Sequence, residues 1–207
     1  KADVTILNED GEDVLSAFLK IGSSSSRTLS TWHKNQKHHS ADVLEPLVTL
    51  FVEQGASLQA KDKNGITALE KIVDFASIDF IKALLQKGDS GVDIHGVLHI
   101  ALLYNHNDLV QHALQNGAVL QTATPKGKDA FFHAVTNLND MDLFTKVMDN
   151  TDNLQVTVSA KKGQTRNALH VLILGLSDQK TQKVYLDKFI YLLEKGIKVI
   201  EKDWMKA

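Results

Sequence analysis

Between Asn64 and Gly88 the sequence NGITALEKIVDFASIDFIKALLQKG holds two short runs of apolar residues at i, i+3, i+4 spacing, parted by a polar break. The pattern returns in HGVLHIALLYNHNDLVQHALQNGA and again in KGKDAFFHAVTNLNDMDLFTKVMDN. It returns a third time in KGQTRNALHVLILGL, followed after the spacer GLSDQKTQKV by YLDKFIYLLEKG. Each stretch predicts a turn, a short helix, a break and a second helix, most of them closed by glycine. Gly55, Gly88 and Gly117, and then Asn150, stand where left-handed caps are expected to stop the second helices. Upstream, EDVLSAFLKI and DVLEPLVTLFVEQG predict a first, irregular pair. Asp42 and Glu45 have capping-box spacing, which puts the start of its second helix there, with Pro46 in the first turn. The connection over 22–42 is long, serine-rich and basic, with Trp32 as its one aromatic residue; a surface loop is expected, and the competing reading is a partner-specific arm.

A period near 33 residues, with a turn and two short helices in each repeat, resembles the ankyrin repeat. NGITALEKI resembles that family's turn glycine and Thr-Pro-Leu-His motif, with Thr67 and Leu69 kept and Ala68 in place of proline. GVLHIA keeps Leu98 and His99, and NALHVL keeps Leu169 and His170. EQGASLQAKDKNG resembles the family's hairpin, with Asp62 and Gly65 in place. The resemblance runs along nearly the whole chain, although few of the family's prolines remain. It implies an all-α, ankyrin-type helix-turn-helix repeat solenoid with short hairpin loops. A single array over residues 1–207 is expected, with repeats at about 8–60, 61–91, 92–123, 124–159 and 160–202. One helix pair is too small to bury its own apolar face, so neighbours must bury it jointly. Leu15, Leu69, Leu98, Phe131 and Leu169 share the inner register position and are the expected core layer. Both termini read as cut within repeats, so a segment of a longer protein is expected.

The cluster His95, His99, His106 and His112 raises the question of a metal centre, because His95 and His99 lie four apart, on one helix face. A zinc site needs a third converging ligand, and HGVLH lacks the glutamate of a zinc-protease helix. In the ankyrin register His99 is the motif histidine of the first helix and His106 precedes the second helix, His95 falls in the turn before the first helix, and the resemblance implies structural hydrogen bonding.

Composition narrows the possibilities further. Lys and Arg number 23 against 25 Asp and Glu, a balance that advertises no nucleic-acid partner. The charge is mildly polar along the chain, +4 from Thr151 onward against −6 before it. With no cysteine, disulfides, thiol nucleophiles and thiolate metal sites are excluded. No apolar run approaches the ~20 residues of a membrane helix. No phosphate loop, nucleophile elbow or kinase motif is present. PKGKDA reads as a hairpin turn, and Asp140 and Asp142 read as helix-start carboxylates.

The expectation is therefore a non-catalytic module with no cofactor and no metal. The resemblance implies binding to another protein through hairpin tips and a concave groove, while the charge balance and the lack of a long apolar run lead to the expectation of no nucleic acid and no membrane. Carried over position by position, the tips are Lys63, Asn64, Ile66, Asp93, His95, Lys126 and Lys128, with Lys161, Lys162 and Gln164 in the last repeat. The groove residues are Asp74, Phe75, Leu103, Tyr104, Thr136 and Asn137. Phe75 and Tyr104 are the expected anchors. A cytoplasmic monomer is expected. The alternatives are a substrate-recruiting segment of a larger enzyme, or a secreted bacterial effector in the host cytosol, with the catalytic domain elsewhere; catalysis by the histidine group comes third.

Overall fold

In a computed structural model, which describes residues 3–21, 39–62, 64–73, 76–87, 93–159, 165–176 and 182–198, the chain is mostly helical. In chain order the helices are α1 (Val14–Ile21), α2 (His39–Glu53), α3 (Ala68–Val73), α4 (Ile78–Lys87), α5 (Ile94–Leu103), α6 (Asn107–Gln115), α7 (Pro125–Asn137), α8 (Met141–Asp149), α9 (Ala168–Gly175) and α10 (Gln182–Glu194). The short strands β1 (Thr157–Ser159) and β2 (Thr165–Asn167) pair antiparallel, Val158 opposite Arg166.

Six of the helices start where a short polar side chain takes up an N–H group of the first turn. Asp13 accepts the Ser16 N–H ahead of α1, and Ser77 accepts the Phe80 N–H ahead of α4. Thr124, Asp140 and Asn167 cap α7, α8 and α9 in the same way. At α3 the cap is reciprocal: Thr67 Oγ1 accepts the Glu70 N–H while Glu70 Oε2 accepts the Thr67 N–H.

Contacts divide the chain into two units, residues 1–93 and 94–207. In the first, α1 packs on α2 and on α3, and α3 packs on α4. Phe18 of α1 meets Phe51 of α2 with ring centroids 5.3 Å apart. Glu45 of α2 accepts the Ser77 N–H at 2.9 Å, tying one pair to the start of the next pair's second helix. In the second unit α5, α7 and α9 pack in sequence as one layer, and α6, α8 and α10 as another. Leu15, Leu69, Leu98, Phe131 and Leu169 are all buried, as the register predicts.

Several expectations are corrected. Helix α2 begins at His39, inside the expected insertion, so Pro46 sits in the helix interior and not in its first turn. Asp42 and Glu45 therefore do not mark its start. The rest of the insertion, with Trp32, lies outside the described residues. Gly55 and Gly117 do take the left-handed conformation, with φ of +100° and +80°, but Asn150 has φ −101°. Asn150 matches Asn116 instead: both are C-caps with φ near −100°, and each side-chain amide bonds the carbonyl one turn back. Thr151 then stands where Gly117 stood, and it bridges to Leu120 of the preceding loop. Gly88 lies outside the described residues.

PKGKDA is not a hairpin turn. Thr124 caps a helix that opens with Pro125, because proline's fixed φ and missing N–H suit a first position. Gly127 in that first turn lies against the preceding loop, and a Cβ there would sit 1.7 Å from the Gln121 carbonyl oxygen. Backbone cannot yield as a flexible side chain can. Gly127→Ala is expected to destabilise the protein by about 1–3 kcal/mol, read as a lowered urea midpoint. An unchanged midpoint would contradict the close approach.

Candidate partner-binding surface

The residues singled out from the sequence fall in different places. Asn64 and Ile66 are exposed on a tight turn that matches the expected hairpin. There the Asp62 carboxylate accepts the Asn64 and Ile66 N–H groups and pairs with Lys71 at 3.0 Å. Partial burial raises the Asp62 pKa, but the Lys71 ammonium and the two N–H groups outweigh it and hold the carboxyl below its usual range. Lys63, Asp74 and Phe75 lie outside the described residues, as do Lys161, Lys162 and Gln164.

Asp93 is exposed immediately before α5, and His95 is in the first turn of α5 rather than in the turn before it. His95 does not behave as a tip. Its Nδ1 accepts the Val119 N–H at 2.9 Å, and one turn on, buried His99 accepts the Gln121 N–H through Nε2 at 3.3 Å. The shared face seen in the sequence thus grips the loop after α6, and these nitrogens bind backbone. His106 is the residue before α6 but gives it no side-chain cap. His170, in register with His99, has its Nδ1 2.8 Å from the Asn167 capping oxygen. Lys126 and Lys128 are exposed, but on the first turn of α7 and not on a hairpin tip. Lys128 lines a polar cavity of about 290 Å³ with Thr122, Asp152 and Asn153. Thr122 bonds the Asp152 carboxylate through both its N–H and its hydroxyl.

The four described groove positions lie at the C-terminal ends of α5 and α7, helices that pack side by side. Leu103 is half-buried, and Tyr104 follows it with 42% of its surface exposed. Thr136 is half-buried and returns its hydroxyl to the Phe132 carbonyl. Asn137 is exposed, with its amide 3.0 Å from His133 Nδ1.

The clamp of the last helix is missing from the sequence reading. Tyr185 donates to the Thr136 carbonyl at 2.9 Å, and Lys188 donates to the Val135 carbonyl at 2.8 Å. Both acceptors are carbonyls in the last turn of α7, where a helix runs out of its own donors. Lys188 is fully buried, its ammonium 5.1 Å from the centre of the Phe144 ring and 5.4 Å from that of Tyr185. Burial pushes its pKa down to about 8. The Tyr191 hydroxyl donates to Asp149 at 2.6 Å, and Lys195 pairs with the same carboxylate. Burial and that carboxylate raise the Tyr191 pKa, while Lys195 and Tyr191 lower that of Asp149. The missed signal is the register itself: counted back from the closing glycines, Lys188 of YLDKFIYLLEKG stands where Leu109 stands in α6.

Among the described residues no helix is long and apolar enough to cross a membrane. No family model matches the chain. It is 27% identical, over 152 residues, to a Caenorhabditis elegans protein described as a transient receptor potential cation channel subfamily A member 1 homolog. The match takes in 66% of this chain and 13% of that protein. The similarity is distant, and it points the same way as the stacked helix pairs, toward a repeat region.

Proposed function

We propose that this chain is an ankyrin-type repeat segment that binds another protein through the ends of its first helices, without chemistry of its own. The observation that carries the reading is Tyr104. It closes α5 with its ring partly in solvent, while Leu98 on the same helix is buried in the layer between helix pairs. Leu103, Thr136 and Asn137 extend the surface around it. His95 and His99, the pair in the histidine cluster that shares a helix face, are engaged with loop backbone. Stacked pairs and a distant repeat-region similarity support the family, and its groove binding supports the role.

The test is capture of partners from a lysate, followed by titration of the strongest with wild type and Tyr104→Ala. Truncating a central aromatic anchor is expected to weaken binding by about 2 kcal/mol or more. The circular dichroism spectrum should not change, because Tyr104 is not in the core. Deleting 23–26, in the serine-rich insertion, should do much less, since four serines supply no aromatic or arginine anchor. If the deletion abolishes binding and Tyr104→Ala does not, the insertion is the site and the groove is not.

A further inference from the structure

Gly55 and Gly117 stand at the same spacing before the buried Leu69 and Phe131, so the connections after α2 and α6 can be compared position by position. After Gly55 the chain turns back on itself. The Asp62 N–H bonds the Ile66 carbonyl, the Gly65 N–H bonds the Asp62 carbonyl, and Lys61 bridges Thr67. After Gly117 the same places belong to Thr124 through Lys128, the cap and first turn of α7. A helix start stands where the earlier connection has a hairpin, because Thr124 and Pro125 favour the helix.

The next connection, between α8 and α9, keeps its hairpin as β1 and β2. The two connections begin by pairing with each other. The Leu120 N–H bonds the Asn150 carbonyl, and the Asp152 N–H bonds the Leu120 carbonyl. The ladder then stops. The Thr122 N–H goes to the Asp152 side chain, and among the described residues no backbone bond joins Ala123 to Gln155, Val156 or Thr157. One chain turns away into α7 while the other runs on into β1. Between them lies the cavity of about 290 Å³, lined in part by Ala123, Lys128, Gln155, Val156 and Thr157. Helix pairs precede and follow it in the chain.

Three features set what this cavity takes. Its lining is mostly polar, whereas sites for small molecules are mostly apolar. Thr157, at its wall, opens a strand that pairs on one side only, with β2, among the described residues. An unpaired strand edge offers main-chain donors and acceptors to another extended chain. Its charges are unequally satisfied. Asp152 Oδ1 receives both donors of Thr122, while Lys128 has no ion pair among the described residues. Asp129, the acid beside Lys128, does not line the cavity.

We propose that this cavity takes a short extended segment of a partner protein, which adds to the free edge of β1 and sets an acidic side chain against Lys128. Main-chain bonds supply the attachment, and the alternate side chains supply the choice. The site lies at the opposite end of α7 from Thr136 and Asn137. It goes beyond the groove reading and uses none of its residues, so binding through Tyr104 can succeed or fail separately.

The experiment is a titration of the isotope-labelled chain, followed by its amide NMR signals, with the peptide acetyl-Val-Thr-Glu-Thr-Val-amide. The same peptide with lysine in place of glutamate, and acetyl-glutamate-amide alone, are the comparisons. The glutamate peptide is expected to shift the signals of Ala123, Lys128 and Gln155 through Thr157, and to leave that of Tyr104 in place. It should bind more tightly than the lysine peptide. Lys128→Glu should weaken it by about fivefold or more and reverse the preference. Lys128→Gln, the milder change at this exposed position, should abolish the preference. Tyr104→Ala should leave the titration unchanged. No shifts at millimolar peptide, shifts centred on Tyr104, equal binding of the two peptides, a preference unchanged in both Lys128 variants, or equal shifts with acetyl-glutamate-amide would each overturn the proposal.

Discussion

Leu98→Ala is expected to cost about 2–5 kcal/mol of stability, among the largest effects of any single truncation in the chain. Leu98 is completely buried on α5, where it belongs to the layer shared with Phe131 of α7 and Leu169 of α9. Removing its isobutyl group leaves a cavity that the neighbours cannot fill, because each is held by its own helix and cap. Lys126→Ala makes the matching control. Lys126 is exposed on the first turn of α7, and its loss should move stability by about 0.5 kcal/mol or less. Urea midpoints for the two variants check the layer directly. If Lys126→Ala proved the more damaging, the assignment of inner and outer positions would be wrong throughout the second unit.

Lys188 should make the protein more stable as the solution becomes alkaline, against the trend that buried tyrosines impose. The unfolded lysine titrates near 10.5 and the folded one near 8. Below pH 8 both states hold the proton, and the folded state bears the full cost of a buried ammonium. Between pH 8 and 10.5 the unfolded state still binds the proton and the folded state has released it, so stability rises with pH. The whole shift corresponds to about 3 kcal/mol. The Phe144 and Tyr185 rings favour the charged form and work to reduce it. Tyr191 acts in the other sense: its raised pKa keeps the folded state protonated where the unfolded phenol ionises, and it takes stability away above pH 10. Comparing wild type with Lys188→Met by urea unfolding at pH 7, 8, 9 and 10 isolates the lysine. The gap between the two should move in favour of wild type as pH rises. Parallel curves would mean that Lys188 stays charged in the folded protein.

The buried layer is legible in the sequence because one residue in each repeat must face the same neighbours, and that position recurs whatever the loops do. Leu69 and Leu98 can be placed from their motifs, and Phe131 from the period. Local chemistry is legible too, where it is heeded. Thr67 and Glu70 spell a capping box, and Thr124 followed by Pro125 spells a helix start. Carrying the tip register into Lys126 and Lys128 overrides that second signal, and the helix they begin shows the override to be mistaken. Asn150 fails for a related reason. Its likeness to a closing glycine is one of residue type, while its backbone follows Asn116 one position earlier. Lys188 is harder to see, since lysine at a leucine position reads as surface until the carbonyl ends of α7 supply acceptors in three dimensions. The exposure of Tyr104 follows from its place at the end of a first helix, just where the apolar run gives way to Asn105, His106 and Asn107.

The way the layers are joined also governs how the chain can change length. Phe131 and Leu169 are farther apart in sequence than Leu98 and Phe131 by five residues, yet all three arrive in one buried layer. Four of the five fall between the C-cap of α8 and Leu169, in the connection that carries the paired strands β1 and β2. Lengthening such a turn costs little, because the closure entropy grows only with the logarithm of its length. Insertions and deletions can therefore accumulate at these turns while the helices keep their partners. Segments of the same architecture can drift apart in length and in residue identity together, and the strict spacing by which a sequence profile recognises them is lost before the packing is.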